Sequence, residues 1–447
     1  MGNYLLVEKE RRLLMKPNRS ISTVFFIAIL CAAVVLFNAP AQAADPATVR
    51  IGVLYPMTGG AAQAGWDNKQ AMELAMEIIN TTKHKGLGIP LADTEGLPNF
   101  GGAKVEVVLA DHQGKPDVGL GEAERLITQE NVSVLFGAYH SNVTLTASQV
   151  AERKQFPFYN AESSSPNLTK RGFKWFFRTS PHDDTFSDAM VQCLKEMEKS
   201  GAKIKTAAML HEDTLYGKDS GRIEKELCEK AGYKVLGVIP YRRSATSLTS
   251  EVQKLKSLNP DVFFPTSYAV DAILLTKTMK DLDFNPPVVM AQNSGHTDSS
   301  FSETLGASMV EGICSRNAFS PDLMEKIPAL KKINELFKEK TKAAGKERDI
   351  SDTSVRCFQG FMALAEALSR AKSLKPEDIR QAIIETDLKS EQLVVPWRGI
   401  KFDQEGQNMY GDAVVVQYQG GKMYTVYPTR FAAKKLLYPI PKWSERK

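Results

Sequence analysis

Polar and small residues fill five loops, each at the point where a predicted strand ends. The loops are 137–142, 160–166, 211–217, 266–268 and 292–296. They offer hydroxyls, amides and aromatic rings, and the first opens into a predicted helix whose N-terminal N–H groups suit a carboxylate. A serine-rich turn alone is usually a helix cap, and a lone tyrosine usually packs. The convergence of five such loops therefore indicates a binding site.

Enzyme motifs are present only in fragments. The run 60–65 has the glycine spacing of a phosphate loop, but Trp66-Asp67 follows it where Lys and Ser/Thr are required. The run 119–121 lacks the third glycine of a dinucleotide fingerprint, and the chain has no G-x-S-x-G or H-E-x-x-H motif. The run 211–213, His-Glu-Asp, resembles an acid/base cluster, but adjacent loop residues usually point apart. We therefore predict a binding protein, not an enzyme, with no cofactor and no metal.

Alternating strands and helices position these loops. A first set of short, mostly apolar strands is predicted at 49–55, 104–110, 132–136 and 156–159, and a second at 204–210, 234–239, 262–264 and 287–290. The helix after the first strand has apolar residues at helical spacing, namely Ala71, Leu74, Ala75, Ile78 and Ile79. Buried strands that alternate with helices form parallel sheets covered on both faces. The predicted fold class is α/β with two doubly wound units, which bind ligands beyond the carboxyl ends of their strands.

The composition fits a folded chain of more than one domain. Its 447 residues suffice for two or three domains, and 43% hydrophobic and 24% charged residues are typical of globular proteins. The formal net charge of +5 is spread along the chain instead of gathered into basic tracts. We therefore expect no nucleic-acid partner.

The N-terminus has the three parts of a secretory signal peptide. Basic residues between Lys9 and Arg19 precede the apolar run Ile21 to Phe37, and the small-residue site Ala41-Gln42-Ala43 follows. A membrane anchor is the alternative, although the run is at the short end for spanning a bilayer. We predict cleavage after Ala43, which removes residues 1–43 and exports the mature chain.

Export would place four cysteines in an oxidising compartment: Cys193, Cys228, Cys314 and Cys357. Cys193 and Cys228 lie on consecutive predicted helices that flank one strand, so they are the preferred disulfide pair. The alternative is that the cysteines are buried free thiols.

Several short motifs occur in a recognisable order along the mature chain. They are Ile51-Gly52-Val53, Pro56-Met57-Thr58-Gly59, Gly137 to Ser141, Asn160 to Thr169, Phe177 to Pro181 and Tyr216-Gly217. From about Val49 onward the chain resembles the periplasmic substrate-binding proteins of branched-chain amino-acid ABC transporters, the Leu/Ile/Val-binding-protein type. The resemblance implies a type I periplasmic binding protein, in which two Rossmann-like lobes are joined by three hinge crossings. It places residues 44–172 and 318–398 in lobe 1, and residues 173–317 and 399–447 in lobe 2.

The resemblance also implies which residues bind the ligand. Ser141 and the Ser163/Ser164 pair would hold a carboxylate, and Tyr216 and Tyr268 would close over the ligand from lobe 2. The full predicted set is Trp66, Ser141, Glu162, Ser163, Ser164, Tyr216, Tyr268 and Asn293.

Two departures from the family pattern bear on the ligand. Trp66 follows Gly65 in the first loop, whereas the family often has an aromatic residue before the glycine. Amino-acid binders of this type usually have an acidic residue, which neutralises the ammonium group, where this chain has Gln292-Asn293. Glu162 is a candidate substitute from the opposite lobe. The ligand classes that remain open are a branched-chain amino acid, an amide, a urea-like compound and an aromatic acid.

The expected function is that of the solute-binding component of an ABC importer. We expect a monomer in the periplasm that closes on its ligand and is recognised by a membrane ABC permease. One alternative is a ligand sensor that presents its closed form to a chemoreceptor or a kinase. The other alternative is a periplasmic amide hydrolase.

Overall fold

The computed structural model describes residues 47–446. The predicted signal peptide, residues 1–43, lies outside this range. Within it, none of the helices combines the length and the apolar character that a membrane span requires.

The first sheet has five parallel strands, and it forms lobe 1. Its strands are β1 (Thr48–Tyr55), β2 (Lys104–Asp111), β3 (Val134–Gly137), β4 (Phe158–Asn160) and β5 (Phe176–Arg178), in the order β2-β1-β3-β4-β5. The connecting helices are α1 (Ala62–Asn80), α2 (Pro116–Gln129) and α3 (Ser141–Lys154). Apolar clusters cover both faces of the sheet, as expected for buried parallel strands.

The chain then builds a second sheet, which forms lobe 2. Its helices are α4 (Asp183–Lys199), α5 (Leu215–Lys230), α6 (Thr249–Leu258), α7 (Ala269–Asp281) and α8 (Ser299–Val310). Its strands are β6 (Thr206–Glu212), β7 (Lys234–Tyr241), β8 (Val262–Thr266), β9 (Val288–Ala291) and β10 (Cys314–Asn317). These five strands are parallel, and two apolar clusters lie on the two faces of the sheet.

After β10 the chain returns to lobe 1 and later finishes in lobe 2. The returning elements are α9 (Pro328–Ala343), α10 (Asp352–Leu368), α11 (Pro376–Ile384) and the antiparallel pair β11 (Asp387–Lys389) and β12 (Gly399–Lys401). Helix α10 is buried along most of its length and packs against α1. The last strands, β13 (Val414–Gln419) and β14 (Lys422–Tyr427), extend the second sheet, whose order is β14-β13-β10-β9-β8-β6-β7. This α/β architecture of two doubly wound lobes confirms the predicted fold class.

Strand pairing shifts two of the predicted lobe boundaries. Strand β5 pairs with β4, so lobe 1 continues past residue 172 to Arg178. Strand β12 pairs with β11, and Phe402 packs on Tyr159 and Phe177 of lobe 1. The boundaries at 172/173 and 398/399 are therefore early, because the chain completes lobe 1 strands before it crosses. The first crossing follows β5, the second follows β10 and the third follows β12. The hydrogen bond from the backbone N–H of Asn408 to Arg178 O joins the first and third crossings.

The long loop between α1 and β2 is packed onto lobe 1. Its residues Ile89, Leu97 and Phe100 are buried in the main apolar cluster. Asn99 Nδ2 donates to the carbonyl oxygens of Leu368 at 3.3 Å and Ala371 at 2.5 Å. The loop thereby covers the C-terminal end of α10.

The predicted Cys193–Cys228 disulfide is wrong. Both residues are free thiols, and so are Cys314 and Cys357. All four are buried in apolar clusters. Burial raises the pKa of Cys193 to about 12, so its thiol stays protonated and acts as a small apolar group.

One buried ion pair on α10 joins the crossings between the lobes. Asp352 Oδ2 lies 2.9 Å from Arg356 Nη2, and both side chains are almost fully buried. Asp352 Oδ1 accepts hydrogen bonds from the backbone N–H groups of Ala318 at 2.6 Å and Phe319 at 3.1 Å, in the second crossing. Arg356 Nη1 donates to Ser180 Oγ, in the first crossing, at 3.2 Å. The pair therefore satisfies polar groups that would otherwise be buried without partners.

Asp352→Asn should destabilise the folded protein strongly. The substitution keeps the shape of the side chain but removes the ion-pair partner of the buried Arg356 guanidinium, which costs about 3 to 5 kcal/mol. The measurement is the free energy of unfolding in urea. Asp387→Asn, which removes the carboxylate of an exposed pair with Lys389, is the matched control and should change little. Equal effects of the two substitutions would contradict the role assigned to the buried pair.

Candidate ligand-binding site

Lobe 1 presents its serines at the carboxyl ends of β3 and β4. Ser141 is the first residue of α3, and within the described chain no side-chain cap occupies that helix N-terminus. The backbone N–H of Ser165 donates to Ser141 Oγ at 3.4 Å. The Ser163 hydroxyl bonds Thr144 Oγ1 at 2.7 Å and donates to Tyr139 O at 3.0 Å, so it is committed to lobe 1. Ser164 instead points to the opposite lobe.

A buried arginine supports this serine loop from behind. Arg178, in β5, donates from Nη1 to the carbonyl oxygens of Ser163 at 3.0 Å and Ser165 at 2.7 Å, and from Nε to Gln407 Oε1 at 2.7 Å. Burial lowers the pKa of Arg178 to about 10, which still leaves it charged at neutral pH. The guanidinium fixes the direction of the loop carbonyls and adds positive potential beneath the serines.

Aromatic rings of the two lobes meet across the gap. Tyr268, at the start of α7, lies 4.6 Å from His140 and 5.7 Å from Tyr139 between ring centroids, and both partners belong to lobe 1. Tyr216 of lobe 2 lies 5.4 Å from Tyr268. A cavity of about 20 Å³ opens beside His140 and Tyr268 and is lined by both lobes. The predicted pair Tyr216 and Tyr268 therefore belongs to one inter-lobe aromatic cluster, and the lobes are in contact there.

Burial keeps these aromatic groups uncharged. It lowers the pKa of His140 well below its usual value, so the imidazole is neutral at pH 7. It raises the pKa of Tyr139, Tyr216 and Tyr268 above the usual value, so each keeps its hydroxyl proton. Ser294 of lobe 2 lies beside the hydroxyls of both Tyr139 and Tyr216. The cluster is thus a neutral aromatic surface with several hydroxyl groups.

Arg316 lies beside the candidate site, and the sequence analysis did not single it out. It lies in β10 at 2% exposure, and its Nη2 donates to Ser164 Oγ of lobe 1 at 3.3 Å and to Asp183 Oδ1 at 3.1 Å. Its guanidinium also lies over the Phe186 ring, 3.7 Å from the centroid. The only local signal in the sequence was a charged residue in the otherwise uncharged run Gly312 to Asn317.

Asn293 does not offer its amide to the gap. Its Nδ2 is surrounded by three protein acceptors, Arg316 O at 2.9 Å, Asn317 Oδ1 at 3.0 Å and Asp352 Oδ2 at 3.0 Å. Its Oδ1 accepts the backbone N–H of Ser294. Asn293 therefore links the lobe 2 loop to α10 of lobe 1.

Trp66 lies apart from the aromatic cluster. It is half-buried on α1 and lines a cavity of about 440 Å³ together with Met57, Gln63 and the 344–348 segment. The Arg348 guanidinium lies 5.9 Å from its ring centroid. The structure thus places Trp66 beside a second contact between the lobes, not beside the serines.

This second contact is a polar network that joins α8 of lobe 2 to α1 and to residues 346–348 of lobe 1. We call it the latch. Ser299 of lobe 2 donates to Asp67 Oδ2 at 3.0 Å and also contacts Arg348. Glu303 Oε2 of lobe 2 lies 3.2 Å from Arg348 Nη2 and 2.5 Å from Lys346 Nζ. Burial raises the pKa of Asp67 to about 6, although Arg348 opposes the shift. The latch joins the lobes outside the aromatic cluster.

Glu162 is fully buried in lobe 1. Its Oε1 accepts a hydrogen bond from the Tyr55 hydroxyl at 2.6 Å, and Oε2 has no partner among the described residues. Burial raises the pKa of Glu162 to about 7, while the Tyr55 bond and Arg356 act in the opposite direction. Its neighbours from β1 and α10 are Tyr55, Arg356 and Cys357. Glu162 is therefore partly protonated at neutral pH.

The fold and these loops define a class of protein. Two α/β lobes joined by three crossings, with serines and tyrosines facing one another across the gap, have the architecture of a solute-binding protein. The chain belongs to the periplasmic binding protein family, whose profile matches residues 48–422. Family membership confirms the resemblance noted in the sequence and the expectation of a binding protein rather than an enzyme.

Curated and solved relatives agree with this assignment. Leu/Ile/Val-binding protein homolog 7 of Brucella suis is 27% identical over 426 residues, which cover 92% of this chain and 98% of that protein. The leucine-binding protein LivK of Thermotoga maritima superposes with a TM-score of 0.70 at 23% identity, covering 85% of this chain and 97% of LivK. A solute-binding protein of an ABC transporter from Rhodopseudomonas palustris, solved with 3,4-dihydroxybenzoic acid, gives 0.67 at 21% identity, with coverages of 89% and 99%. The two solved structures establish the shared fold.

Glu162→Gln should change how stability depends on pH. The pKa of Glu162 is about 7 in the folded chain and about 4.5 when exposed, so its stabilising contribution is complete below pH 4.5 and lost as pH rises through 7. The shift corresponds to roughly 3 kcal/mol. The free energy of unfolding of the variant minus that of wild type should therefore rise by about that amount between pH 4.5 and pH 8.5. Glu226→Gln, on the surface of α5, is the control and should show no such trend.

Glu303→Gln should weaken closure without touching the aromatic cluster. The substitution removes the carboxylate that pairs with Arg348 and Lys346 across the lobes. Partly exposed pairs contribute up to about 1 kcal/mol, so ligand affinity should fall by up to about fivefold. Small-angle X-ray scattering should show a larger radius of gyration at low salt. The control is Glu196→Gln, which removes an exposed pair within α4. An identical radius and affinity in variant and wild type would contradict the latch.

Proposed function

We propose that this chain is the periplasmic solute-binding component of an ABC importer, and that it captures one small polar ligand between its lobes. The observation that carries the proposal is the meeting of polar and aromatic side chains from both lobes around Ser164, Tyr139, Tyr216 and Tyr268. Within a family of binding proteins, such a two-sided site is what hinge closure requires. The closed form would then be presented to a membrane permease by a monomeric protein.

The ligand would stabilise the closed form because it contacts both lobes at once. In the open form it could contact only one of them, and the difference in contact energy shifts the population towards closure. The second crossing and the Asp352–Arg356 pair act as a fixed point, since their hydrogen bonds lie within the hinge. The latch would stabilise the closed form further, through contacts that do not involve the ligand.

The side chains that best suit ligand binding are Ser141 and Ser164 from lobe 1 and Tyr216 and Tyr268 from lobe 2. Ser141 Oγ accepts from the Ser165 N–H, and its hydroxyl proton has no acceptor among residues 47–446, so it can donate to a ligand. The predicted contacts from Ser163, Asn293 and Trp66 receive less support, because those side chains already serve protein partners or lie at the latch. Glu162 would contact the ligand through Oε2, which has no hydrogen-bond partner among residues 47–446.

The aromatic cluster suits a ligand with an apolar body. Flat rings stack on tyrosine, and branched aliphatic groups also bury well against it. Solved proteins of the same fold include one from Streptococcus pneumoniae in complex with isoleucine and one from Rhodopseudomonas palustris in complex with benzoate. Branched-chain amino acids, amides, urea-like compounds and aromatic acids are therefore the candidates to test.

A thermal-shift screen of these four ligand classes tests the proposal. A ligand that binds only the folded chain raises the melting temperature in proportion to the logarithm of its concentration. Ser141→Ala should then weaken binding of the best ligand by about tenfold, the scale of one hydrogen bond to a charged group. Ser257→Ala, on the exposed face of α6, is the matched control. Chemical turnover of the bound ligand, or a Ser141→Ala variant with unchanged affinity, would contradict the proposal.

A further inference from the structure

Hydrogen bonds to the protein fix the direction of the Arg316 guanidinium, but they do not occupy all of its N–H donors. Its Nε donates to Gln292 Oε1 at 3.4 Å, and Nη2 donates to Ser164 Oγ and Asp183 Oδ1. An arginine has five N–H donors, and these contacts use three. Across residues 47–446, no acceptor is bonded to Nη1, so two donors remain.

Arg316 also lies between two of the side chains proposed to bind the ligand. Ser164 of lobe 1 is in contact with Nη2. Tyr216 of lobe 2 is close enough for the positive charge to lower the pKa of its hydroxyl, although burial raises that pKa by more. The guanidinium is thus placed where the serine loop of one lobe faces the aromatic cluster of the other.

The surroundings of Arg316 keep it charged and oriented. Asp183 supplies the balancing carboxylate and is itself held by Ser220 Oγ at 3.2 Å. Phe186 stacks on the flat face of the guanidinium. A guanidinium held in this way loses little side-chain entropy when it binds an anion, and its Nη1 still has two N–H groups that can donate to a carboxylate.

We propose that Arg316 binds the carboxylate of the ligand through Nη1, together with Ser164, and that the protein therefore selects organic acids that lack an ammonium group. The inference rests on the proposed function and names the ligand class of that site. An ammonium placed beside Ser164 would face the Arg316 charge, and Asp183 is already paired. The apolar body of the acid would lie on the aromatic cluster.

Matched pairs of acid and amide test this role. The probes are benzoate with benzamide, and 4-methylpentanoate with 4-methylpentanamide, titrated calorimetrically into the full chain without residues 1–43. In each pair only the carboxylate charge differs. Wild type should prefer the acid, and leucine, which adds an ammonium group, should bind more weakly than 4-methylpentanoate.

Arg316→Gln should lower the affinity for each acid by at least tenfold and leave the affinity for each amide within about twofold. Arg316→Lys keeps the charge but loses the planar guanidinium that stacks on Phe186, so its affinity for each acid should fall between those of wild type and Arg316→Gln. Arg446→Gln, which removes a buried arginine at the far end of lobe 2, is the control and should not change the acid-to-amide ratio.

A purely structural arginine would give a different result. Acid and amide affinities would then fall together in Arg316→Gln, and that outcome overturns the inference. If Arg316→Gln does not fold, Arg316→Lys and the ligand preference of wild type still decide the question. A wild type that binds amides or leucine better than simple acids contradicts the role of Arg316 and leaves the proposed function standing. A wild type that binds none of the three kinds of probe contradicts both.

Discussion

The buried pair of Asp352 and Arg356 is the interaction on which the arrangement of the lobes depends. It bonds the backbone of the second crossing, the Ser180 hydroxyl of the first, the carbonyl oxygen of Glu162 and the amide of Asn293. Hinges are usually short, exposed segments, but here they pass through the interior and must have their polar groups satisfied there. Asp352 and Arg356, one turn apart on α10 of lobe 1, bond polar groups of both the first and the second crossing.

The same constraint explains how the candidate site is built. The serine loop is held from behind by Arg178 and from α10 by Arg356, so its backbone direction is set before any solute arrives. Preorganisation of this kind lowers the entropic cost of binding. Side chains from lobe 2, among them Tyr268 and Arg316, meet the loops of lobe 1 across the gap.

Much of the fold could be predicted from the sequence, because it follows from local patterns. The alternation of apolar strands and amphipathic helices predicted the two doubly wound units. The family resemblance singled out Ser164, Tyr216 and Tyr268, in loops at the strand ends, as candidates for the ligand site. The β13–β14 hairpin was missed even though its apolar strands flank Gly420-Gly421. Arg316 and the use of Asn293 could not be predicted, since their partners lie 152 and 59 residues away along the chain. The disulfide failed because helix order says nothing about which way two thiols point.

The burial of all four thiols within residues 47–446 has a practical meaning for following the motion of the lobes. Thiol reagents attack the accessible thiolate, and these sulfurs are shielded from solvent and protonated. One cysteine introduced at Thr128 on α2 and another at Ser257 on α6 would therefore accept a donor and an acceptor dye while the native sulfurs remain unlabelled. Energy transfer between the dyes would then report opening and closing on single molecules, with no need to remove any residue of the core.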